Sequence, residues 1–269
     1  MRLKQAVLAL CFCAAVSGQS GIPSRMTIQK APISRSGMRS DAQTTQRGAE
    51  VRAVHFAPDN KSATVDIVNS SSKDISAYGV SYDITFADGH HEKGERLVEY
   101  LQSIISSQQR LGSQWSGEGV FHSGESRKEL FEFSQGNAVS TLNATVDVVI
   151  YMDQTADVGN DDAFRMFVTD RTATAKAAEK AATILQTALA DQTDLHPLKT
   201  ASMQLHQMMV NEPPKSLPAR ADIEGLIRNM AAIQASGRSD ERESMKACLA
   251  EKNQQKVTTL QHAQIRGPK

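Results

Sequence analysis

The chain has 269 residues, with 30 Lys+Arg balancing 30 Asp+Glu, and is 40% hydrophobic and 22% charged. Those proportions exclude a disordered charged tail and a membrane bundle, and a formal net charge of zero removes the electrostatic footprint of a nucleic-acid or anionic-membrane binder. No internal apolar run reaches the ~18–20 residues that spanning a bilayer needs, and the length accommodates one or two ordinary domains.

Arg2 and Lys4 precede an apolar stretch over residues 6–16, after which Ser17-Gly18-Gln19-Ser20 turns polar. This is the pattern of a secretory signal peptide over residues 1–18, with Val16 and Gly18 as the small residues a signal peptidase reads. Leu10 and Phe12 precede Cys11 and Cys13, where a lipid-modified cysteine needs a small residue. The mature chain is expected to start near Gln19 and to be secreted or periplasmic. Cleavage removes two basic residues, giving a net charge of −2, and leaves Cys248 alone. One cysteine makes no internal disulfide, so the core has to be sufficient by itself. Cys248 reads as a small apolar residue packed on a helix.

Residues 19–48 are rich in Ser, Arg, Gln, Thr and Gly and lack apolar periodicity, as a flexible leader would. Residues 49–152 read as strands. Tyr78, Val80, Tyr82, Ile84 and Phe86 alternate with Gly79, Ser81, Asp83 and Thr85, so one face is apolar. Asp88-Gly89 supplies a turn, and Arg96 to Tyr100 can return as the hairpin partner. Further strands are expected at 51–56, 63–67, 119–121, 130–133 and 142–152. About seven short strands punctuated by turn residues predict an antiparallel β-sandwich, Ig-like but without a cysteine pair.

Residues 160–252 read as a helical region. Asp161 and Asp162 suit a helix N-terminus, residues 173–190 are strong helix formers, and Ile184, Leu185, Ala188 and Leu189 form a stripe. Pro197 opens a second helix, Pro213-Pro214 breaks the chain, and Ile223 to Ile233 recur at helical spacing up to Ser236-Gly237. Ser239 or Asp240 can cap a last helix through Cys248 and Leu249. Residues 253–269 are polar and expected to fray, and the helical region is expected to be loosely attached.

Val65-Asp66-Ile67-Val68-Asn69-Ser70, Ile75-Ser76-Ala77-Tyr78 and Phe86-Ala87-Asp88-Gly89, together with Val146 to Thr155, resemble secreted bacterial proteins of unassigned function. The resemblance covers residues 50–172. It implies an exported Ig-like β domain with appended helices, and it carries no catalytic residue. Gln154 departs from it, because glycine is usual at that turn.

Candidate chemistry is sparse. His91-Glu92 begins a zinc-protease string, but Glu95 stands where the second His belongs. His90 follows the Asp88-Gly89 turn, and His55, His122, His196, His206 and His262 are scattered. Ser70 and Lys73 have the Ser-x-x-Lys spacing, yet they fall between strands rather than at a helix start. Asp153, Asp157, Asp161 and Asp162 with Asn160 offer hard oxygen ligands for calcium. Thr155 is a marginal ligand, Val158 replaces the required Gly, and Phe164 replaces the bidentate Glu, so a strand-to-helix turn with acidic capping is expected instead. Asn60, Asn69 and Asn143 match the glycosylation sequon, a string short enough to recur by chance.

The fold class expected is α+β: an Ig-like antiparallel β-sandwich followed by a C-terminal helical region. The function expected is that of an exported, non-enzymatic binding or scaffolding module. No catalytic, cofactor-binding or metal residue is assigned. The expected partner is a protein or cell-envelope component, not nucleic acid, with no transmembrane anchor and with self-association through the C-terminal helices. The alternatives are a secreted hydrolase with a site assembled from distant residues, such as Asp88, His90, His91 and Glu92, and a calcium-dependent surface protein.

Overall fold

The computed structural model describes residues 28–29, 48–57, 62–134, 139–237 and 240–266. The expected signal peptide, nearly all of the expected leader, Asn60 and Ser239 lie outside the described residues. The strands are β1 (Ile28–Gln29), β2 (Ala49–Phe56), β3 (Ser62–Asn69), β4 (Ile75–Phe86), β5 (His91–Glu99), β6 (Ser126–Ser134), β7 (Val139–Tyr151) and β8 (Ala156–Val158). They form two four-stranded sheets, ordered β1-β6-β3-β2 and β5-β4-β7-β8. All neighbours are antiparallel except β1, which pairs parallel with Phe133 and Ser134 of β6.

Side-chain alternation explains how the sheets meet. On β4, Tyr78, Val80, Tyr82, Ile84 and Phe86 are buried, as their spacing predicts. They join Ala63, Val65 and Ile67 of β3, Phe131 and Phe133 of β6, and Leu142 and Val146 of β7 in one apolar cluster. The Asp88-Gly89 turn closes the β4–β5 hairpin: Phe86 N–H donates to the His90 carbonyl at 2.8 Å, and Gly89 has φ +86°. That positive φ is open to glycine at no steric cost. The strand expected at 119–121 is only a single bridge between Ile75 and Phe121.

The helices are α1 (Leu101–Leu111), α2 (Asp161–Ala190), α3 (Pro197–Asn211), α4 (Leu217–Ala235), α5 (Glu241–Met245) and α6 (Glu251–His262). A short 3-10 turn follows α1, and one π-helical stretch, Lys246–Ala250, joins α5 to α6. Asn160 caps α2, its side chain accepting from the N–H groups of Asp162 and Ala163 at 3.0 and 3.1 Å. Asp161 and Asp162 occupy the first turn, where the helix dipole favours acid. Asp240 caps α5 through Glu243 N–H at 2.9 Å. Leu185, Leu198, Leu205, Ala219, Ile223 and Met230 build a second core among α2, α3 and α4, and half-buried Cys248 packs on it as expected.

Three features depart from the sequence expectation. First, α1 interrupts the strand region. Leu101, Ile104 and Ile105 follow a helical spacing, which a search for period-two alternation misses. Second, residues 253–262 are helical rather than frayed. Val257 and Leu260 are buried against Leu101 and Ile105 of α1 and Ala175, Ala178 and Ala182 of α2. Two apolar residues are a weak signal alone, and packing against small side chains supplies the rest. Third, the helices are not loosely attached. Ala77, Val148 and Ile150, on the outer face of the second sheet, pack against Ala163 and Phe167 of α2 and against Ile265.

Candidate ligand cleft

A cleft of about 470 Å³ opens where the start of β4, the end of β7, α1 and α6 converge. Leu101 and Ile104 from α1, with Trp115, Met152 and Ala263, give it an apolar lining. Trp115 is the only tryptophan in the chain. Its Nε1–H donates to the Glu118 carbonyl at 3.0 Å, which fixes the indole. The backbone N–H of Ser116 donates to the Glu118 carboxylate at 2.9 Å and holds its pKa below the ordinary value. Gly119, at φ +93°, lets this loop lie against Ser103 and Ile104 at a distance that a Cβ would not permit.

Arg171 reaches the cleft from α2 and is only 3% exposed. Its Nε and Nη2 donate to Glu99 Oε2 and Oε1 at 2.9 and 3.0 Å. Nη2 also donates to Ser76 Oγ, and Nη1 to the Ala263 carbonyl, each at 2.9 Å. One guanidinium therefore joins β4, β5, α2 and the segment after α6. Glu99 Oε1 also accepts the Leu101 N–H at 3.0 Å, which helps start α1. Polar groups on the α1–α6 side complete the wall. The Gln108 carbonyl accepts from Gln255 Nε2 at 3.3 Å, and Gln108 Oε1 accepts from Thr259 Oγ1 at 2.8 Å.

The sequence search missed these groups. Arg171 falls on the stripe of Phe167, Thr174 and Ala178, all buried on α2. A cation inside an otherwise apolar helical stripe is the signal that would have found it. Trp115 sits in a glycine-flanked loop and belongs to no motif.

The candidates named from sequence are dispersed. His91 Nδ1 lies 3.1 Å from Thr85 Oγ1 and 3.8 Å from Asp83, while the His90 ring stacks near Phe86. Glu95 accepts from the Asn160 amide. His55 pairs with Asp66 at 3.3 Å, His122 with Asp74 at 3.2 Å, and His196 with Glu241 at 3.7 Å. His206 bonds the Ser202 carbonyl of its own helix. Of the seven, only His262 lines the cleft. Ser70 and Lys73 both belong to the β3–β4 connection, where Lys73 pairs with Asp153 and donates to Thr155 Oγ1 at 3.0 Å.

The acidic residues do not converge. Asp153 faces Lys73, and Asp157 Oδ2 accepts from the Tyr151 hydroxyl at 2.5 Å and from Gly48 N–H at 3.3 Å. Asp161 and Asp162 lie on the first turn of α2. Burial opposes ionisation of Asp153, but Lys73 and Thr155 outweigh it and bring its pKa down to about 2. Among the described residues, no three His, Cys, Asp or Glu side chains group as a metal site. Asn69 is fully buried, its amide donating to the Lys73 and Phe121 carbonyls at 2.8 and 2.9 Å, so this sequon is closed to a glycan. Asn143 is exposed on β7.

No family model matches the chain, and no curated protein matches it. A hypothetical protein from Peptoclostridium difficile 630, solved by X-ray diffraction, aligns over 39% of this chain and 81% of its own, at 12% identity and a TM-score of 0.22.

Proposed function

We propose that the protein is an exported, non-enzymatic binding module and that the cleft between α1 and α6 is its ligand site. The cleft itself carries the proposal. It is a concave, mostly apolar space with a few fixed polar groups, the usual form of a small-molecule site. Its lining brings together amides, hydroxyls and a charge-matched arginine, a set suited to holding a ligand in place. The β unit is taken as an Ig-like sandwich, supported by the apolar cluster drawn from both sheets. The helices act as a packing element. Met203, Val210 and Leu217 are exposed on α3 and α4, which favours self-association through this region. Among the described residues no helix is long and apolar enough to cross a membrane.

A hydrolase drawing on Asp88, His90, His91 and Glu92 finds less support, because these residues cluster at the exposed β4–β5 hairpin, away from the cleft. The test is a thermal-shift screen of the mature protein against small molecules, with Trp115 fluorescence as the second readout. Hits that stabilise the fold and perturb Trp115 support the binding role. Stabilising hits that leave Trp115 unchanged place the ligand elsewhere and sink the proposal. Export is tested by N-terminal sequencing of native protein, where an intact Met1 would refute cleavage near Gln19.

A further inference from the structure

We infer that the cleft selects an uncharged, ring-bearing amphiphile that carries a carbonyl or hydroxyl oxygen, which deepens the binding role proposed above and depends on it. Charge decides first. Arg171 is the strong cation of the lining, and both oxygens of Glu99 already match it. A ligand carboxylate would lose its hydration beside a guanidinium whose charge Glu99 already balances. A ligand ammonium would be placed against the guanidinium. A neutral ligand avoids both costs.

The lining then sets the shape. Trp115, held by Glu118, presents a fixed aromatic surface, with Leu101, Ile104 and Met152 around it. A flat ring buries apolar area there and can stack on the indole. The volume, about 470 Å³, suits two or three fused rings with a short substituent.

Hydrogen bonding sets the oxygen. A guanidinium has five N–H groups. Four of those on Arg171 are used, by Glu99 twice, Ser76 and Ala263. The remaining Nη1–H has no acceptor among the described residues. Gln108 accepts at both of its oxygens, while its side-chain N–H groups have no acceptor among the described residues. The Arg171 Nη1–H and the Gln108 amide are the donors that a ligand oxygen answers.

The experiment titrates the mature protein with three compounds of one size: 2-acetylnaphthalene, neutral with a carbonyl; 2-naphthoate, anionic; and 2-ethylnaphthalene, without oxygen. Calorimetry and Trp115 fluorescence report binding. The ketone is expected to bind about tenfold tighter than either comparison compound, the loss of one well-placed hydrogen bond or one desolvated charge. Thr258→Phe, at an exposed wall position, is expected to fill the cleft and weaken the ketone at least tenfold with the melting temperature kept. Gln108→Met is expected to erase part of the preference for the ketone over 2-ethylnaphthalene. Equal or tighter binding of 2-naphthoate overturns the ligand class but leaves a binding site. Ketone binding unaffected by Thr258→Phe overturns the location. No saturable binding of any of the three overturns the class, and it removes the site as well if the wider screen is also silent at Trp115.

Discussion

Arg171 meets Glu99 through two parallel hydrogen bonds of 2.9 and 3.0 Å, with the arginine 3% and the glutamate 31% exposed. The fork geometry is the strong form of this pair. Its location matters more than its strength, since it ties the last residue of β5 to the middle of α2. Removing the cation would leave Glu99 half-desolvated beside an apolar stripe.

Arg171→Met is therefore expected to destabilise the protein by about 3 kcal/mol, the low end for breaking a buried pair because Glu99 keeps some water contact. Arg171→Lys recovers only part of this, as a lysine lacks the fork. Urea unfolding measures both. An Arg171→Met, Glu99→Met double variant should be more stable than the single, and the reverse order would show that the carboxylate is not what the arginine serves.

Gln154 has φ +72°, in the left-handed region that favours glycine. It retains a side chain that bonds the His262 carbonyl and accepts from Arg266 Nε at 2.5 Å, while its backbone carbonyl accepts from Arg266 N–H at 3.1 Å. Gln154→Ala keeps the strain and loses the side-chain bonds, so it should cost about 1–2 kcal/mol. Gln154→Gly loses the same bonds but relieves about 1 kcal/mol of strain, and should be near neutral. Hydrogen exchange should show residues 263–266 opening faster in both. Equal stability losses in the two variants would contradict the role given to φ.

The pH dependence of the Lys73–Asp153 pair has a definite sign. The Asp153 pKa is depressed to about 2 in the fold, below the ordinary value of about 3.9 for an unfolded aspartate. The pair's stabilisation is then complete above pH ~4 and is lost as pH falls through about 2. Because Asp153 is about half exposed, the effect stays below ~1 kcal/mol. Asp153→Asn should melt slightly below the parent at pH 7 and together with it near pH 2. Divergence that widens on acidification would refute this.

Calcium should not stabilise the fold beyond what magnesium does at equal ionic strength. Asp153 is taken by Lys73 and Asp157 by Tyr151, leaving Asp161 and Asp162 as first-turn residues of α2. Melting curves in EDTA, millimolar calcium and millimolar magnesium test it, and a calcium-specific rise abolished by Asp157→Ala would overturn it. In the same assay Asn160→Ala, which removes the α2 cap, should cost about 1 kcal/mol in every buffer.

The sequence makes β4 and its hairpin legible because one buried face with a two-residue period and a turn dipeptide are both local signals. The start of α2 is legible for the same reason, although the capping side chain is Asn160 and not the aspartates after it. By contrast, α1 and α6 owe their burial to each other and to the alanines of α2. Partners separated by some 150 residues leave no mark within a short window. The cleft is illegible for that reason too: Ser76, Gln108, Trp115, Arg171 and Thr259 share no spacing, and only their convergence gives them a common role.

Helix α6 is far from α1 in the chain, yet its Leu260 is fully buried between helices that begin with Leu101 and Asp161. The Ala263 carbonyl likewise completes the shell of Arg171. Until α6 docks, α1 and α2 lack the surface that shields them, and the arginine lacks one of its acceptors. Closure of this part of the core therefore waits for segments some 150 residues apart to meet, a loop closure that weighs on folding rate more than on stability. Until those distant segments meet, the alanine face of α2 stays uncovered, and this part of the molecule sets into its final shape only when α6 arrives.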